Sequence, residues 1–355
     1  MDGIDAVLVR FDEDPQKTAI IASHLEPIPM ALKNETLAMS MGRAPEHFLC
    51  VAKLDVQWGR LFAQSVHHLL EKAGVPPESV RGIGSHGQTL WHHPHPPYPF
   101  TLQIGDPNII AAETGITTVG DFRRADIALG GQGAPLVPRF HEWYFGSQQS
   151  RIIANIGGIS NITVLPFQNK PCLGFDTGPG NGLMDAWTQL HTGAPFDRDA
   201  IFARQGHCNE KLLQHLLDDP YFARPFPKST GKDYFNLPWL NNALASFEIS
   251  AQDVQATLLS LTAVSMARSI QSCRDGAEIL VCGGGTHNSL LIKSLQQALG
   301  SNFVVASTEK YGLHPDWVEA LCFAWLAKKR LDLQPVDFTA ITGAHRPALL
   351  GGIYG

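Results

Sequence analysis

The sequence predicts an α/β fold in two domains, and three observations carry that prediction. Apolar runs of strand length alternate with helical patterns along most of the chain. At 355 residues the chain exceeds what one ordinary core encloses, so two domains are expected. Hydrophobic residues make up 44% and charged ones 17%, the balance of a compact chain and not of a disordered one.

Residues 6–11 read as a strand and 18–23 as its partner. Residues 47–73 form one long helical pattern, opening at His47, in which Leu54, Trp58, Leu61, Phe62 and Leu69 share a face. A strand over 80–85 runs into His86-Gly87-Gln88-Thr89, and another over 116–122 runs into Arg123-Arg124. Residues 152–155 and 161–165 read as a hairpin about the Gly157-Gly158 turn. Ser250 followed by Asp253 has the spacing of a capping box that opens a helix over 254–273. A strand over 279–282 enters Gly283-Gly284-Gly285, a helix starts at Asn288, a strand covers 303–306, and a last helix covers 317–330. Gly, Gln and Pro interrupt the pattern between 130 and 138. The expected domains are therefore 1–130 and 131–355, with the final segment packing back on the first.

Composition also excludes several classes. A net charge of -6 gives no basic footprint for nucleic acid. No window reaches the roughly 18 apolar residues of a membrane span, and no signal peptide is expected before the first strand. Six cysteines are scattered without a Cys-x-x-Cys, which suits buried thiols in a reducing cytoplasm.

The densest candidate chemistry lies in Gly174-Phe175-Asp176-Thr177-Gly178-Pro179-Gly180-Asn181 and, upstream, in Asn155-Ile156-Gly157-Gly158-Ile159-Ser160-Asn161. A short apolar run ends in a lone carboxylate, Asp176, beside glycines that let backbone approach a ligand closely. Phe-Asp-Thr-Gly also marks aspartic proteases, but those need two carboxylates sharing a proton, and this chain has one Asp-Thr-Gly. A strand-end Asp can also do no more than cap the helix after it. The Gly157-Gly158 turn, with Ser160 and Asn161 as donors, suits an anion-binding nest or an ordinary hairpin. Gly283-Gly284-Gly285 sits between strand and helix, where backbone can press against a nucleotide. It is not Gly-x-Gly-x-x-Gly, and no Walker lysine motif is present.

Gly120-Asp121-Phe122-Arg123-Arg124 puts two guanidiniums at a strand end, suited to a substrate carboxylate or to a surface ion pair. Glu319, the lone acid in an otherwise apolar helix, serves either the helix dipole or a sugar hydroxyl. Trp91-His92-His93-Pro94-His95-Pro96-Pro97 reads as a solvated loop, because its prolines break any helical ligand face and no Cys or acid completes a metal set.

Taken together, the chain resembles the anhydro-N-acetylmuramic acid kinase family, bacterial sugar kinases of the acetate kinase, hexokinase and actin superfamily. The resemblance rests on ordered segments along the whole length. They include Ser85-His86-Gly87-Gln88-Thr89, Leu102-Gln103-Ile104-Gly105-Asp106, residues 119–124 and 128–138, Asp176-Thr177-Gly178-Pro179-Gly180-Asn181, Pro227-Lys228-Ser229-Thr230-Gly231, and residues 281–285 and 319–327. It implies a two-domain actin-like ATPase (ribonuclease H-like) fold. Each domain would carry a mixed five-stranded sheet flanked by helices, the pair closing over an interdomain cleft for ATP and sugar. It further implies Mg²⁺ dependence, a cytoplasmic homodimer, and a place in cell-wall recycling through opening of the 1,6-anhydro bridge and phosphorylation of O6. On that pattern Asp176 is the catalytic base. Asn155, Gly157, Gly158 and Ser160 approach the nucleotide phosphates, joined by Gly178, Gly180 and Asn181, and Gly283, Gly284 and Gly285 line the adenosine. His86, Asp121, Arg123 and Glu319 face the sugar, and no residue is assigned to metal.

The family opens with a strand and a Gly-Thr-Ser-x-Asp-Gly phosphate loop, of which this sequence carries Met1-Asp2-Gly3-Ile4-Asp5. Asp2 and Gly3 are then the loop's remaining nucleotide contacts. Met suits the variable position, so Met1 is expected to be an internal methionine of a longer chain. An in-frame Gly-Thr-Ser upstream would bear this out, and a stop codon directly before Met1 would defeat it. A chain beginning at Met1 would be catalytically impaired, since phosphoryl transfer rests on positioning and charge stabilisation. The second reading is accordingly a sugar- or nucleotide-binding relic of the same fold.

Overall fold

The computed structural model describes residues 3–42 and 48–355. They form two compact units, the first joining the described residues up to Tyr144 with Trp317–Gly355, the second being Phe145–Asp316.

In the first unit, β1 (Ile4–Arg10) and β2 (Ala19–Glu26) pair as an antiparallel hairpin, as their apolar runs predict. Helices α1 (Met30–Ser40) and α2 (Phe48–Ala73) follow; His47, expected to open the latter, lies outside the described residues. Leu54, Trp58, Leu61 and Leu69 of α2 are buried, while Phe62 is partly so. Trp58 Nε1 donates to Thr36 Oγ1 at 2.9 Å and fastens α2 to α1. Then come β3 (Ile83–Gly84), the hairpin β4 (Gln88–His93) and β5 (Phe100–Ile104), α3 (Pro107–Thr114), β6 (Thr118–Gly120), α4 (Arg124–Ala128) and α5 (Val137–Phe145). Both β3 and β6 are shorter than predicted. A 3₁₀ turn at Pro77–Ser79 delays the first, and Asp121, at φ 58°, leaves the extended region and stops the second.

The second unit begins with β7 (Arg151–Ile156), β8 (Ile159–Val164) and β9 (Leu173–Pro179). Helices α6 (Asn181–Thr192), α7 (Glu210–Leu217), α8 (Pro220–Ala223), α9 (Leu237–Leu244) and α10 (Ala251–Cys273) follow. The unit ends with β10 (Ala277–Cys282), α11 (Ser289–Leu299) and β11 (Phe303–Ser307). Ser250 Oγ accepts from Asp253 N–H at 3.1 Å, the cap the sequence spacing predicts, and Asn288 Oδ1 accepts from Leu291 N–H at 3.0 Å where a helix is expected to start. The sheet order is β11-β10-β7-β8-β9, with β8 alone reversed. That order and that single reversal are the ribonuclease H-like arrangement. Ile152, Ala154 and Ile156 of β7 and Ile279 and Val281 of β10 are buried against α6, α10 and α11 side chains such as Met184, Leu258 and Leu291.

Register at the sheet centre is pinned by charge. Arg151 lies opposite Glu278 across β7 and β10, and Arg151 Nε donates to Glu278 Oε2 at 2.8 Å. Lys310 Nζ at 2.6 Å and the Tyr311 hydroxyl at 2.9 Å reach the same carboxylate. Removing one partner of a buried pair strands the other charge, so Glu278→Ala is expected to cost about 3–5 kcal/mol in urea unfolding. A loss near 1 kcal/mol would mean the pair is no more than a surface contact.

The chain returns to the first unit with α12 (Val318–Leu331), α13 (Thr339–Thr342) and β12 (Gly352–Tyr354). β12 pairs with β6 to complete the sheet β12-β6-β3. The five-stranded sheet implied for this half is not found among the described residues. β1 gives its pairing to β2, β4 to β5, and the β3–β6 ladder holds two residue pairs. Among the described residues no helix is long and apolar enough to cross a membrane.

Candidate active site

Asp176 owes its position to a slip in the β8–β9 ladder. Asn161 faces Asp176 and Ser160 faces Gly178, so Thr177 is the extra residue, and its Oγ1 donates to Ser160 O at 3.2 Å. Bulges of this kind re-aim side chains at strand ends. Asp176 is then held by three neighbours. Its N–H donates to Lys228 O at 3.0 Å, its carbonyl accepts from the Tyr221 hydroxyl at 2.7 Å, and its Oδ2 accepts from Thr230 N–H at 3.0 Å. Burial pushes the carboxyl up to about 6, opposed in part by the Thr230 N–H. An acid in that range is ionised at neutral pH yet basic enough to take a proton. It does not cap α6, whose N-cap is Gly180 with no side-chain bond.

The Gly157-Gly158 turn lies against the start of α6. Gly158 O accepts from Gly180 N–H at 3.1 Å and Gly182 N–H at 3.2 Å, and Gly157 O from Asn181 N–H at 2.8 Å. These bonds satisfy donors that a helix start otherwise leaves open. The backbone N–H groups of Gly180 and Asn181 are thus already engaged, and what Asn181 leaves for a ligand is its side chain. A Cβ on Gly180 would stand 2.1 Å from Gly157 O and 2.7 Å from Ser160 Oγ, so the contact requires glycine. Ser160 Oγ itself is buried without a hydrogen-bond partner.

Gly283 adopts φ 81°, and its segment runs against Asn155 and Ile156 at the end of β7. Asn181 Nδ2 comes within 3.6 Å of where a Gly284 Cβ would be. Asn155, Gly157, Gly158, Asn181 and Gly283, Gly284 and Gly285 therefore gather at the C-terminal ends of the parallel strands β7 and β10. This is where consecutive connections leave in opposite directions, the usual ligand position in α/β sheets. A pocket of about 390 Å³ adjoins the last glycines, lined by Thr286, His287, Ile292, Ser307, Glu309 and His314 among others. Thr286 Oγ1 is buried and unpartnered.

In the first unit the two arginines divide. Arg124 Nε pairs with Asp121 Oδ1 at 2.7 Å, the surface ion pair that the sequence allowed. Arg123 instead turns to His86, donating to His86 Nε2 from Nε at 3.0 Å and from Nη2 at 2.8 Å, while Nη1 donates to Gly133 O at 2.8 Å. Burial, then the Arg123 charge, pushes His86 down to about 3, so its ring is a neutral acceptor. The ring packs on Phe323 of α12 with centroids 4.5 Å apart. Glu319, one turn earlier, is exposed, and its charge favours the guanidinium of Arg123. Asp2 lies outside the described residues, and Gly3 packs against Leu25 of β2. The histidine-rich stretch is not a loop throughout: Trp91, His92 and His93 pair with β5 as part of β4, with His92 bonded to Thr101 and His93 on the Phe100 ring.

Sequence reasoning missed several residues here. Tyr221, Lys228 and Thr230 hold Asp176, and of these only Lys228 and Thr230 lay in a segment that stood out. Lys232 Nζ comes within 2.8 Å of where a Gly158 Cβ would be, bringing an ammonium to the turn. Asp126 is buried and accepts from Gly133 N–H at 2.7 Å and Thr342 Oγ1 at 2.8 Å, fixing the loop on which Arg123 leans.

The family described as "Anhydro-N-acetylmuramic acid kinase" matches residues 1–355. A protein of that name from Coxiella burnetii (strain Dugway 5J108-111) is 50% identical over 357 residues, covering 100% of this chain and 94% of the relative. Relatives of the same name from Shewanella pealeana and Vibrio cholerae are 49% and 48% identical, each covering 100% of this chain and 95% of its own length. The chain belongs to the anhydro-N-acetylmuramic acid kinase family.

Proposed function

We propose that the chain is an ATP-dependent kinase that hydrolyses the 1,6-anhydro bridge of anhydro-N-acetylmuramic acid and phosphorylates O6, giving N-acetylmuramic acid 6-phosphate in cell-wall recycling. The observation that carries this reading is Asp176, a single carboxylate with its pKa pushed up to about 6 beside a glycine-built sheet edge. The substrate has no free 6-hydroxyl, so the bridge must open as the phosphoryl group is transferred. Glycosidases need two carboxylates because the leaving oxygen takes a proton. Here O6 takes the γ-phosphoryl group instead, and one base suffices. Asp176 removes a proton from water, the resulting hydroxyl bonds to C1, the C1–O6 bond breaks onto phosphorus, and ADP departs.

Asn155, Gly157, Gly158, Ser160, Gly178, Gly180 and Asn181 would flank the phosphates, and Gly283, Gly284 and Gly285 with the adjoining pocket the adenosine. The fit rests on two buried hydroxyls, Ser160 and Thr286, that lack partners. Mg²⁺ arriving with the nucleotide neutralises phosphate charge when bound, and no side chain is assigned to it. His86, Asp121, Arg123 and Glu319 would serve the sugar, with Arg123 taking the lactyl carboxylate. The left-handed backbone of Asp121 is the kind of strain that functional positions retain. The active form is read as a homodimer in the cytoplasm. Incubation with Mg-ATP and the anhydro sugar should yield ADP and a sugar phosphate in equal amounts, scored by mass spectrometry. ATP consumed without sugar phosphate, or no turnover at all, refutes the reading.

A further inference from the structure

We propose a divalent transition-metal site of the zinc class in the first unit, formed by His24, Glu26 and His68. His24 and Glu26 stand two apart on β2, so strand alternation puts both side chains on one face. His68 comes from α2, which packs across that face. Glu26 Oε2 lies 2.9 Å from His24 Nε2 and 2.6 Å from His68 Nδ1. The three donor atoms all fall within 4.8 Å of one another, and no other such trio occurs among the described residues. The imidazoles meet edge to face with centroids 5.5 Å apart, and each brings a ring nitrogen to Glu26 Oε2.

The surroundings also suit an ion. Glu26 is 4% exposed, a place where a carboxylate needs a cation or a full set of donors. Gln64 Nε2, one turn before His68 on α2, reaches Glu26 Oε1 at 3.4 Å, orienting the carboxylate so that Oε2 faces the histidines. Two imidazole nitrogens and one carboxylate oxygen are a known three-ligand zinc set, with water in the fourth position. Bonds of about 2.0–2.1 Å would separate tetrahedral donors by roughly 3.4 Å, so each carboxylate–imidazole spacing would open by under about 1 Å. The His68 side chain is 44% exposed, which leaves a route for the ion and room for that water. Ligands from a strand and from a long helix are held by rigid elements, so the ion would staple β2 to α2. None of these residues belongs to the proposed catalytic or sugar-binding set.

The test uses the untagged chain, stripped of metal with a chelator and titrated with Co²⁺. One equivalent should bind with a visible absorption band, one equivalent of Zn²⁺ should displace it, and the thermal midpoint should rise with either ion. His68→Ala and His24→Ala should each abolish the band while far-UV circular dichroism and kinase turnover stay unchanged. Gln64→Ala should weaken Co²⁺ binding about tenfold, as loss of an outer-shell partner does. A parent chain that takes up no Co²⁺ identifies a hydrogen-bonded His–Glu–His cluster and overturns the proposal. A band that persists in both histidine variants, from ion held elsewhere such as at His287 and Asp316, overturns it equally.

Discussion

Asp176→Asn is expected to lower turnover by about 10²–10⁴-fold, the usual contribution of a positioned general base. The amide keeps the size of the carboxylate and an oxygen for the Thr230 N–H. What it loses is the ability to take a proton from water. In the parent chain, activity should rise with pH through an apparent pKa of about 6 and level off above it, because Asp176 works ionised. The variant should lose that acidic limb. Stability should move the other way. The folded-state pKa is raised above its ordinary value of 3.8, so the native state holds a proton that the unfolded chain has already released. Stability from this group therefore falls as pH rises from about 4 to about 6, and the ionised side chain remains a cost above that window. At neutral pH the amide should stabilise the fold, on the order of 1 kcal/mol, seen as a higher melting temperature. Near-parental turnover in Asp176→Asn, with the acidic limb intact, would remove Asp176 from the role of base.

Local chemistry was legible in the sequence, and long-range pairing was not. The Ser250 cap follows from residues three apart, and the hairpin at Gly157-Gly158 from two apolar runs and a turn. The alternation of runs gave the α/β class because each strand of the second unit is long enough to show it. In the first unit β3 and β6 are two and three residues long, too short for periodicity to mark their ends. Asp176 stood out because its neighbours in sequence are also its neighbours in space. Its support did not, since the Thr230 N–H lies 54 residues away along the chain. The two arginines illustrate the same limit. Adjacent in sequence and identical in type, they differ because α4 begins between them, sending Arg124 to Asp121 and Arg123 to His86, 37 residues away. The His24, Glu26 and His68 trio escaped notice for that reason too, its third member coming from a helix 42 residues beyond the carboxylate.

Arg123→Ala is expected to raise KM for the lactyl-bearing substrate by about 10–100-fold, the range of a charge-assisted hydrogen-bonded pair, and to change KM little for an analogue without the carboxylate. The expectation follows from how the guanidinium is held. His86 Nε2 accepts from Nε and Nη2, and Gly133 O accepts from Nη1, so three bonds fix the plane and leave the remaining N–H groups for a ligand. His86 can do this only as a neutral ring, and with its pKa pushed down to about 3 it stays neutral throughout the working pH range. The preference for the carboxylate should therefore persist from pH 6 to 8, apart from the effect of Asp176 on turnover. Arg123→Lys keeps the charge but loses the planar fork, and should recover only part of the affinity. Loss of the side chain also unpairs His86 and Gly133 O, so circular dichroism and melting temperature must accompany the kinetics. If KM rises equally for both substrates, the guanidinium is a brace for the Gly133 loop and the lactyl group is read elsewhere. If kcat falls while KM holds, its contribution lies in the transition state, and the carboxylate is not its ligand.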